Sequence, residues 1–264
     1  KIYTPRNSNL SFLKNNSFNG IINSDTYKDN YVTIKISDWN KNSSYIKFRL
    51  KSVTTKSEDI SYQGIEVLKN QDYTLNKNSS IIEINKNTFY DDLLLNISYN
   101  SDTLDLGKEK DPFRSSVRVK LPHKITDTMR LRQSFIGKII NERISYLSSK
   151  KNDSFIYTNT SSLGKYIISR DTLKPEIIPI NFKSNSNIKG KRSLRLRLKD
   201  ELSGIKSYSS YFNGNWALFE YEPKSNLIFH NLSDGVIENG ENELIIKYED
   251  GVGNKGVYKS KIYY

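Results

Sequence analysis

The segment "KYEDGVGNKGVY", residues 247–258, joins two runs of alternating apolar and polar residues near the end of the chain. Its Asp, Gly and Asn residues are of types found in metal-binding loops, phosphate-binding loops and tight β-turns. A calcium loop needs several oxygen ligands and ends on an acid, but the eleven residues after Asp250 contain no acid. A phosphate loop needs a following helix, whereas 255–264 alternate as a strand. Because Gly251, Gly253 and Asn254 tolerate φ > 0, the segment predicts a β-hairpin.

Alternation with a period of two residues recurs along the chain and predicts half-buried strands. The clearest run is "SLRLRLK", 193–199, which places three leucines on one side and three basic residues on the other. The other runs are 31–36, 45–50, 117–121 and 243–248. Turn-forming residues separate such runs about every ten positions, a spacing typical of β-sandwiches.

One segment, 133–147, has apolar residues at near-helical spacing. Gly137 and a run of β-branched residues lower its helical propensity, so two strands are favoured over one helix. A second segment, "FNGNWALFEYEP" (212–223), contains the strong hairpin signal Asn213-Gly214. Trp216, Leu218 and Tyr221 are predicted to pack between the sheets, and stacking of Trp216 and Tyr221 on a sugar ring is the alternative.

The chain contains an internal repeat. Aligning 242–262 with 30–50 places Asp250 on Asp38 and Asn254 on Asn42, each between two alternating runs. The repeat predicts two similar modules that end near residues 53 and 264. Pro175 and Pro179 indicate an edge strand after a linker, which places a boundary near residue 170.

The predicted fold is therefore all-β, with two to three consecutive immunoglobulin-like β-sandwich modules. Residues 1–54 are predicted to be the C-terminal part of a first module. Residues 55–170 form the middle module, and residues 171–264 form the C-terminal one.

Composition excludes several classes of function. The chain has 264 residues, of which 36% are hydrophobic, and no cysteine, which excludes thiolate zinc sites, iron–sulfur clusters and cysteine nucleophiles. No run of 18 consecutive apolar residues occurs, so no membrane span is expected. The chain starts on Lys and carries no signal peptide, so we expect a mature or shortened part of a longer protein. The net charge of +12 favours a partner that carries phosphate or carboxylate groups.

No catalytic, metal-binding or cofactor-binding residue is predicted. His123 and His230 are the only histidines, and neither belongs to a zinc-binding or hydrolase motif. The remaining candidates are basic side chains on the polar faces of predicted strands, which would bind an anion or a partner if two strands lay side by side. They are Arg118, Lys120, Arg130, Arg132, Arg195, Arg197 and Lys199. Interleaved aromatic residues are missing from these strands, so no nucleic-acid partner is expected.

Four motifs in 199–258 carry a family resemblance. They are Asp200 with Ser203-Gly204-Ile205, Asn213-Gly214 with Trp216, Glu220-Tyr221, and Asp250 to Asn254. With these motifs the segment resembles the C-terminal all-β region of lysostaphin-type (LytM-type) zinc peptidoglycan endopeptidases from Gram-negative envelopes. Residues 162–177 are similar to the join that precedes that region, and residues 19–43 are similar to the end of the preceding β domain.

The resemblance implies a role without catalysis for this chain. The family's zinc ligands lie in H-x(3)-D and H-x-H motifs, which have no counterpart here. The implied function is an accessory region of a periplasmic or outer-membrane-associated protein, for targeting to the wall or docking of a protein. Its partner would be an envelope protein or peptidoglycan. The alternative is a structural or scaffolding subunit of an outer-membrane or periplasmic complex. Whether the full-length protein is a zinc metallopeptidase stays open.

Overall fold

A computed structural model describes residues 29–51, 64–107 and 113–264. The chain divides into two compact units, 1–63 and 64–264. Regular structure in the described residues is almost entirely β, with one short α-helix and one 3-10 turn. The predicted all-β class is confirmed. None of the helices within the described ranges has the length and apolar character needed to cross a membrane.

The first unit is described by one antiparallel hairpin, β1 (Asp29–Ser37) and β2 (Ser43–Lys51). β1 contains the predicted alternating run 31–36, and β2 contains the predicted run 45–50. The rest of the predicted module 1–54 lies outside the described residues.

Residues 64–170, here called the middle module, contain two five-stranded sheets and one two-stranded sheet around a shared core. The sheets have the orders β11-β10-β14-β8-β7, β12-β13-β9-β5-β4 and β3-β6. Core residues come from all three sheets and include Val67, Ile82, Val119, Ile136 and Tyr166. The strands are β3 (Ile65–Val67), β4 (Tyr73–Lys77), β5 (Ser80–Ile84), β6 (Leu93–Leu95), β7 (Ser98–Asn100), β8 (Thr103–Asp105), β9 (Val117–Pro122), β10 (Ser134–Ile140), β11 (Arg143–Leu147), β12 (Lys150–Lys151), β13 (Phe155–Thr160) and β14 (Lys165–Arg170).

Residues 171–264, the C-terminal module, have a second core between a four-stranded and a five-stranded sheet. The orders are β15-β17-β21-β20 and β16-β23-β22-β18-β19. The strands are β15 (Glu176–Pro179), β16 (Ser186–Asn187), β17 (Ser193–Lys199), β18 (Ile205–Phe212), β19 (Asn215–Ala217), β20 (Glu220–Glu222), β21 (Leu227–Asn231), β22 (Glu241–Asp250) and β23 (Lys255–Tyr263), with a 3-10 turn at Leu232–Asp234.

The run "SLRLRLK" coincides with β17, and its three leucines are fully buried. The predicted alternation is therefore confirmed where it was clearest. Strand β15, which ends on Pro179, lies at the edge of its sheet, as its missing backbone N–H requires.

The segment 133–147 forms two strands, β10 and β11, joined by Asn141 and Glu142 at positive φ. One helix precedes them, α1 (Thr128–Gln133), whose first turn is capped by the Asp127 carboxylate on the Arg130 N–H. Arg130 and Arg132 therefore lie on a helix, and their predicted place on a strand is wrong. The Asp127 side chain stabilises the first turn of a helix, and this effect outweighs the tendency of a short alternating pattern to form a strand.

The two repeated hairpins have the same register. In the first, Val32 pairs with Phe48, and in the last, Leu244 pairs with Ser260. Adding 212 to each residue number converts every pair of β1 and β2 into a pair of β22 and β23, from Asp29–Lys51 to Ser37–Ser43. The internal repeat thus specifies one hairpin geometry twice.

The prediction that Trp216 and Leu218 enter the core is wrong, whereas Tyr221 is half-buried against the core as predicted. Asn213 and Gly214 both have φ > 0, as a type I′ turn requires. The resulting register pairs Tyr211 with Trp216 and turns the Trp216 ring outward, where it is 61% exposed. Ala217 and Phe219 are buried instead, because neighbouring residues of a strand face opposite sides.

Gly256 provides a test of the last hairpin. A Cβ added there would lie 2.2 Å from the Tyr248 ring, which packs across the strand pair. We expect Gly256→Ala to displace that ring and lower the free energy of unfolding by about 1–3 kcal/mol, as overpacking does. Ser44 occupies the equivalent, exposed position of the first hairpin, and Ser44→Ala should change stability by less than about 0.5 kcal/mol. Urea denaturation measures both, and equal effects would contradict the packing argument.

Candidate functional site

The turn between β22 and β23 is held by its own Asp and Asn. The Asp250 carboxylate accepts the Val252 and Asn254 N–H groups at 3.0 and 2.8 Å, and it accepts the Asn254 side-chain amide at 2.7 Å. These are the bonds of an Asx-type turn. Asp250 is fully buried and Asn254 is 6% exposed, so the turn lies inside the protein.

The first hairpin repeats these bonds in an exposed position. The Asp38 carboxylate accepts the Asn42 N–H and the Asn42 side-chain amide at 2.9 and 2.8 Å. The bond from the Asn42 side chain is the main reason why the pKa of Asp38 lies below its usual value. The conserved geometry of the two copies is that of a turn, as the sequence predicts.

The buried turn contacts the middle module through Asn254. Its amide nitrogen donates to the Asp171 and Leu173 carbonyls, each at 3.0 Å, and its oxygen accepts the Gln133 side-chain amide at 2.7 Å. Gln133 in turn accepts two bonds from the Arg170 guanidinium. The Asn254 side chain therefore joins the end of α1, the linker between the modules and the last hairpin.

Three carboxyl groups, Asp171, Asp200 and Asp250, meet at this junction, each with an oxygen within 4.8 Å of the others. Asp171 accepts the Ser203 N–H and hydroxyl, and Asp200 accepts the Leu202 and Gly204 N–H groups. With the bond from the Leu173 N–H to Asp171, five of the six carboxylate oxygens accept hydrogen bonds from the protein.

This acidic cluster could not be predicted from the sequence, because its members are separated by up to 79 residues and each belongs to its own turn. Oxygen ligands are the type that Ca²⁺ prefers, so these three residues are the group that could hold a cation. Five of their six oxygens already accept hydrogen bonds from backbone and side-chain groups of the protein, so the cluster stabilises its own turns and the linker. Burial raises the pKa of Asp200, and the neighbouring Asp171 and Asp250 carboxylates raise it further.

Gly251 shows how closely the modules approach. A Cβ there would lie 2.5 Å from the Ser203 carbonyl and 3.0 Å from the Tyr146 ring. The Tyr146 hydroxyl donates to the Gly251 carbonyl at 3.0 Å, and burial raises the pKa of that phenol. The equivalent position of the first hairpin holds Trp39, which is fully exposed.

The predicted basic residues lie on separate elements. Arg118 and Lys120 are on β9, where both form ion pairs with Glu83 of the neighbouring β5. Arg195, Arg197 and Lys199 are on β17, in a sheet of the C-terminal module. β17 lies between β15 and β21, so the two basic strands are not neighbours in one sheet.

One of the basic residues of β17 has a partner close in sequence, and the last two candidates lie outside both strands. Lys199 forms an ion pair with Glu201. Arg132 lies beside Gly253 at the junction between the modules, and Arg130 precedes it on the same short helix.

The two histidines lie in different modules. His230 is buried against the Phe219 ring, with centroids 5.2 Å apart, and its Nδ1 bonds the Leu218 carbonyl. His123 bonds the Asn152 carbonyl through Nε2 and accepts the Ile125 N–H. Both rings therefore have local structural contacts.

Asp200 gives the junction a pH dependence with a defined sign. Because its pKa is raised in the folded state, its contribution to stability is present below the unfolded pKa and is lost as pH rises through the folded pKa. Asp200→Asn keeps an oxygen for the Leu202 and Gly204 N–H groups and removes the charge. We subtract the unfolding free energy of the wild type from that of the variant, each measured by urea denaturation. We expect this difference to be more positive at pH 7.5 than at pH 4.0, because only the wild type carries the unfavourable charge at pH 7.5.

The matched control for this experiment is Asp153→Asn, at an exposed turn of the middle module. An Asp200→Asn effect that is the same at both pH values would show that burial and the neighbouring carboxylates do not raise the pKa of Asp200.

Comparison with known proteins gives a family match and likenesses to solved structures. Residues 66–171, less than half of the chain, match the family described as Zu5-like domain. The match covers the middle module and ends at Asp171. None of the curated proteins matches the chain. Among solved structures, the chain is similar to an endo-beta-1,4-mannanase from Thermotoga petrophila, with 16% identity over 35% of this chain and 20% of the mannanase. The TM-score of 0.30 is too low to support any conclusion about fold or function.

Proposed function

We propose that this chain is a non-catalytic accessory region of a peptidoglycan-endopeptidase-like protein of the bacterial cell envelope. Its residues 55–170 and 171–264 are two immunoglobulin-like β-sandwiches that follow the C-terminal part of another. One observation carries the proposal: the motif residues of the resemblance meet at the junction. Ser203 and Asn254 both bond the linker residue Asp171, and Asn254 also bonds Asp250. Asp200 lies beside them, with a carboxyl oxygen within 4.8 Å of those of Asp171 and Asp250.

The junction supports a positioning role because it fixes two modules with buried, directional bonds. Gln133, Asp171 and Asn254 are each at least nine-tenths buried. Across the boundary, the Asp171 N–H donates to the Gln133 carbonyl and the Gln133 side-chain amide donates to the Asn254 oxygen. Breaking one bond would leave a buried polar group without a partner, which costs about 1–3 kcal/mol. Two modules held in this way keep a fixed relative orientation. Such rigidity suits a region that sets the distance between the wall and an attached domain.

The basic charge supports the wall as the target. The net charge of +12 attracts polymers that carry carboxylate groups, and this attraction weakens with salt. In this role the chain contributes affinity and orientation, and the chemistry is left to a separate domain.

The expected outcome for purified chain mixed with peptidoglycan sacculi is co-sedimentation that decreases between about 50 and 300 mM NaCl, because screening shortens the range of the attraction. The same samples, supplied with ZnCl₂, should release no soluble fragments from the sacculi. A chain that stays in the supernatant at low salt would contradict wall targeting. Zinc-dependent release of fragments would contradict the non-catalytic role.

A second candidate function is a scaffolding subunit that binds proteins through strand edges. The observation that favours it is the first hairpin, in which Tyr31, Ile36 and Trp39 are 74%, 61% and 101% exposed. Exposed apolar residues on a two-stranded element are typical of a surface that receives a partner.

Cross-linking in envelope extracts separates the two candidates. A photo-reactive residue in place of Trp39 should yield one protein adduct of constant mass if the chain is a scaffold. A parallel substitution at exposed Lys165 on β14 controls for random encounters. Identical adduct patterns from the two positions would rule out the hairpin as a docking element.

A further inference from the structure

The outer face of the five-stranded sheet of the C-terminal module carries a row of apolar and aromatic side chains. Strand pairing places Trp216 of β19 beside Tyr211 of β18, Tyr211 beside Ile245 of β22, and Ile245 beside Lys259 of β23. Neighbouring strands lie about 4.8 Å apart, so the row spans roughly 14 Å. It faces away from the core, because Phe212, Leu244 and Ser260 alternate with it and are buried.

Trp216 is the most unusual member of this row. Its side chain is 61% exposed and Leu218, two residues on, is 48% exposed. Large aromatic rings are usually buried in the core. Here the neighbouring Ala217 and Phe219 occupy the core, and the Trp216 ring lies on the opposite face of the strand. An exposed indole beside Tyr211 is therefore available as a flat stacking surface.

Two shallow hollows adjoin the row and meet at Ser207, Tyr208 and Ser209. The first has a volume of about 360 Å³ and is lined by Trp216 and Leu218. The second has a volume of about 400 Å³ and is lined by Lys247, Lys255 and Val257. The volume of each hollow lies at the lower end of the range for ligand sites. Because they share Ser207, Tyr208 and Ser209, the two hollows form one trough with hydroxyl groups at its middle.

The cations of this face are placed to receive an anion. Lys247 Nζ lies 5.6 Å from the centre of the Tyr211 ring, and Lys259 ends the aromatic row. Among the described residues neither lysine forms an ion pair, whereas Glu249 on the same face is paired with Lys206 and Lys255. Glu243, near the other end of β22, adds one negative charge to the face.

We propose that this face binds a glycan chain that carries carboxylate groups, with a sugar ring stacked on Trp216 and a carboxylate near Lys247. The apolar face of a pyranose ring matches an indole ring in size and shape, and its hydroxyls suit the serines of the trough. Charge complementarity selects an acidic glycan over a neutral one. The proposal rests on wall targeting as the function of the chain and assigns it to one surface.

The test measures affinity for soluble, uncross-linked peptidoglycan glycan strands by calorimetry, using the full chain. We expect Trp216→Ala to weaken binding about tenfold or more, as the loss of a central aromatic contact does. Lys247→Ala should weaken it several-fold and reduce its dependence on salt. Chitotetraose, a neutral glycan, should bind more weakly than the acidic strands.

Trp39 supplies the matched control, because it is the only other tryptophan of the chain and is also exposed. Trp39→Ala should leave affinity unchanged, and in Trp39→Phe the remaining Trp216 fluorescence should change as the glycan is added. Polyglutamate tests charge alone, and binding as tight as that of the glycan would overturn the proposal.

The outcomes separate this surface from the function on which it rests. If the wild-type chain sediments with sacculi and Trp216→Ala sediments equally, the surface is wrong and wall targeting stands. If the wild-type chain does not bind sacculi, both fail. Capture of a protein through Trp216, with no affinity for glycan strands, would overturn the glycan assignment in favour of protein docking.

Discussion

The bonds between the Asp250 carboxylate and Asn254 are the interaction on which the C-terminal half of the protein depends. They close the last hairpin, and they also fix the Asn254 amide so that it reaches the linker carbonyls of Asp171 and Leu173. Buried polar groups of this kind are stable only when each has a partner. The positions of α1, the linker and the last hairpin are therefore set together by one turn.

Comparison with the same turn in the first hairpin shows how burial changes the contribution of these hydrogen bonds. Asp38 and Asn42 make equivalent bonds in water, where they compete with solvent and contribute little beyond the turn itself. In the C-terminal copy, Gly251 replaces a side chain and lets the Ser203 carbonyl and Tyr146 approach. The Asp-to-Asn turn thus becomes part of the junction only in the copy where Gly251, and not a residue as large as Trp39, lies next to the Asp and permits close packing.

The junction and the outer face of the C-terminal module have different physical properties, which match different parts of the proposed function. The junction lies at the end where β22 meets β23 and is closed by hydrogen bonds, so it supplies rigidity. The face that carries Trp216 and Tyr211 is open to solvent and has lysines without ion pairs in the described part of the chain, so it is suited to binding. Under the proposed function, the junction would fix the orientation of the two modules and the exposed face would bind the polymer.

The sequence by itself determined the strands with the clearest alternation and the turns of the hairpins. Alternation in 193–199 gave β17, the Asp-to-Asn spacing gave two hairpins of one register, and Asn213-Gly214 gave a turn with φ > 0, because these features depend on residues close in sequence. Only the tertiary structure decided that Asp171, Asp200 and Asp250 meet, that Arg130 and Arg132 lie on a helix, and that Trp216 faces outward. Those outcomes depend on which strands pair and in which register, and a shift of one residue exchanges the buried and exposed faces of a strand.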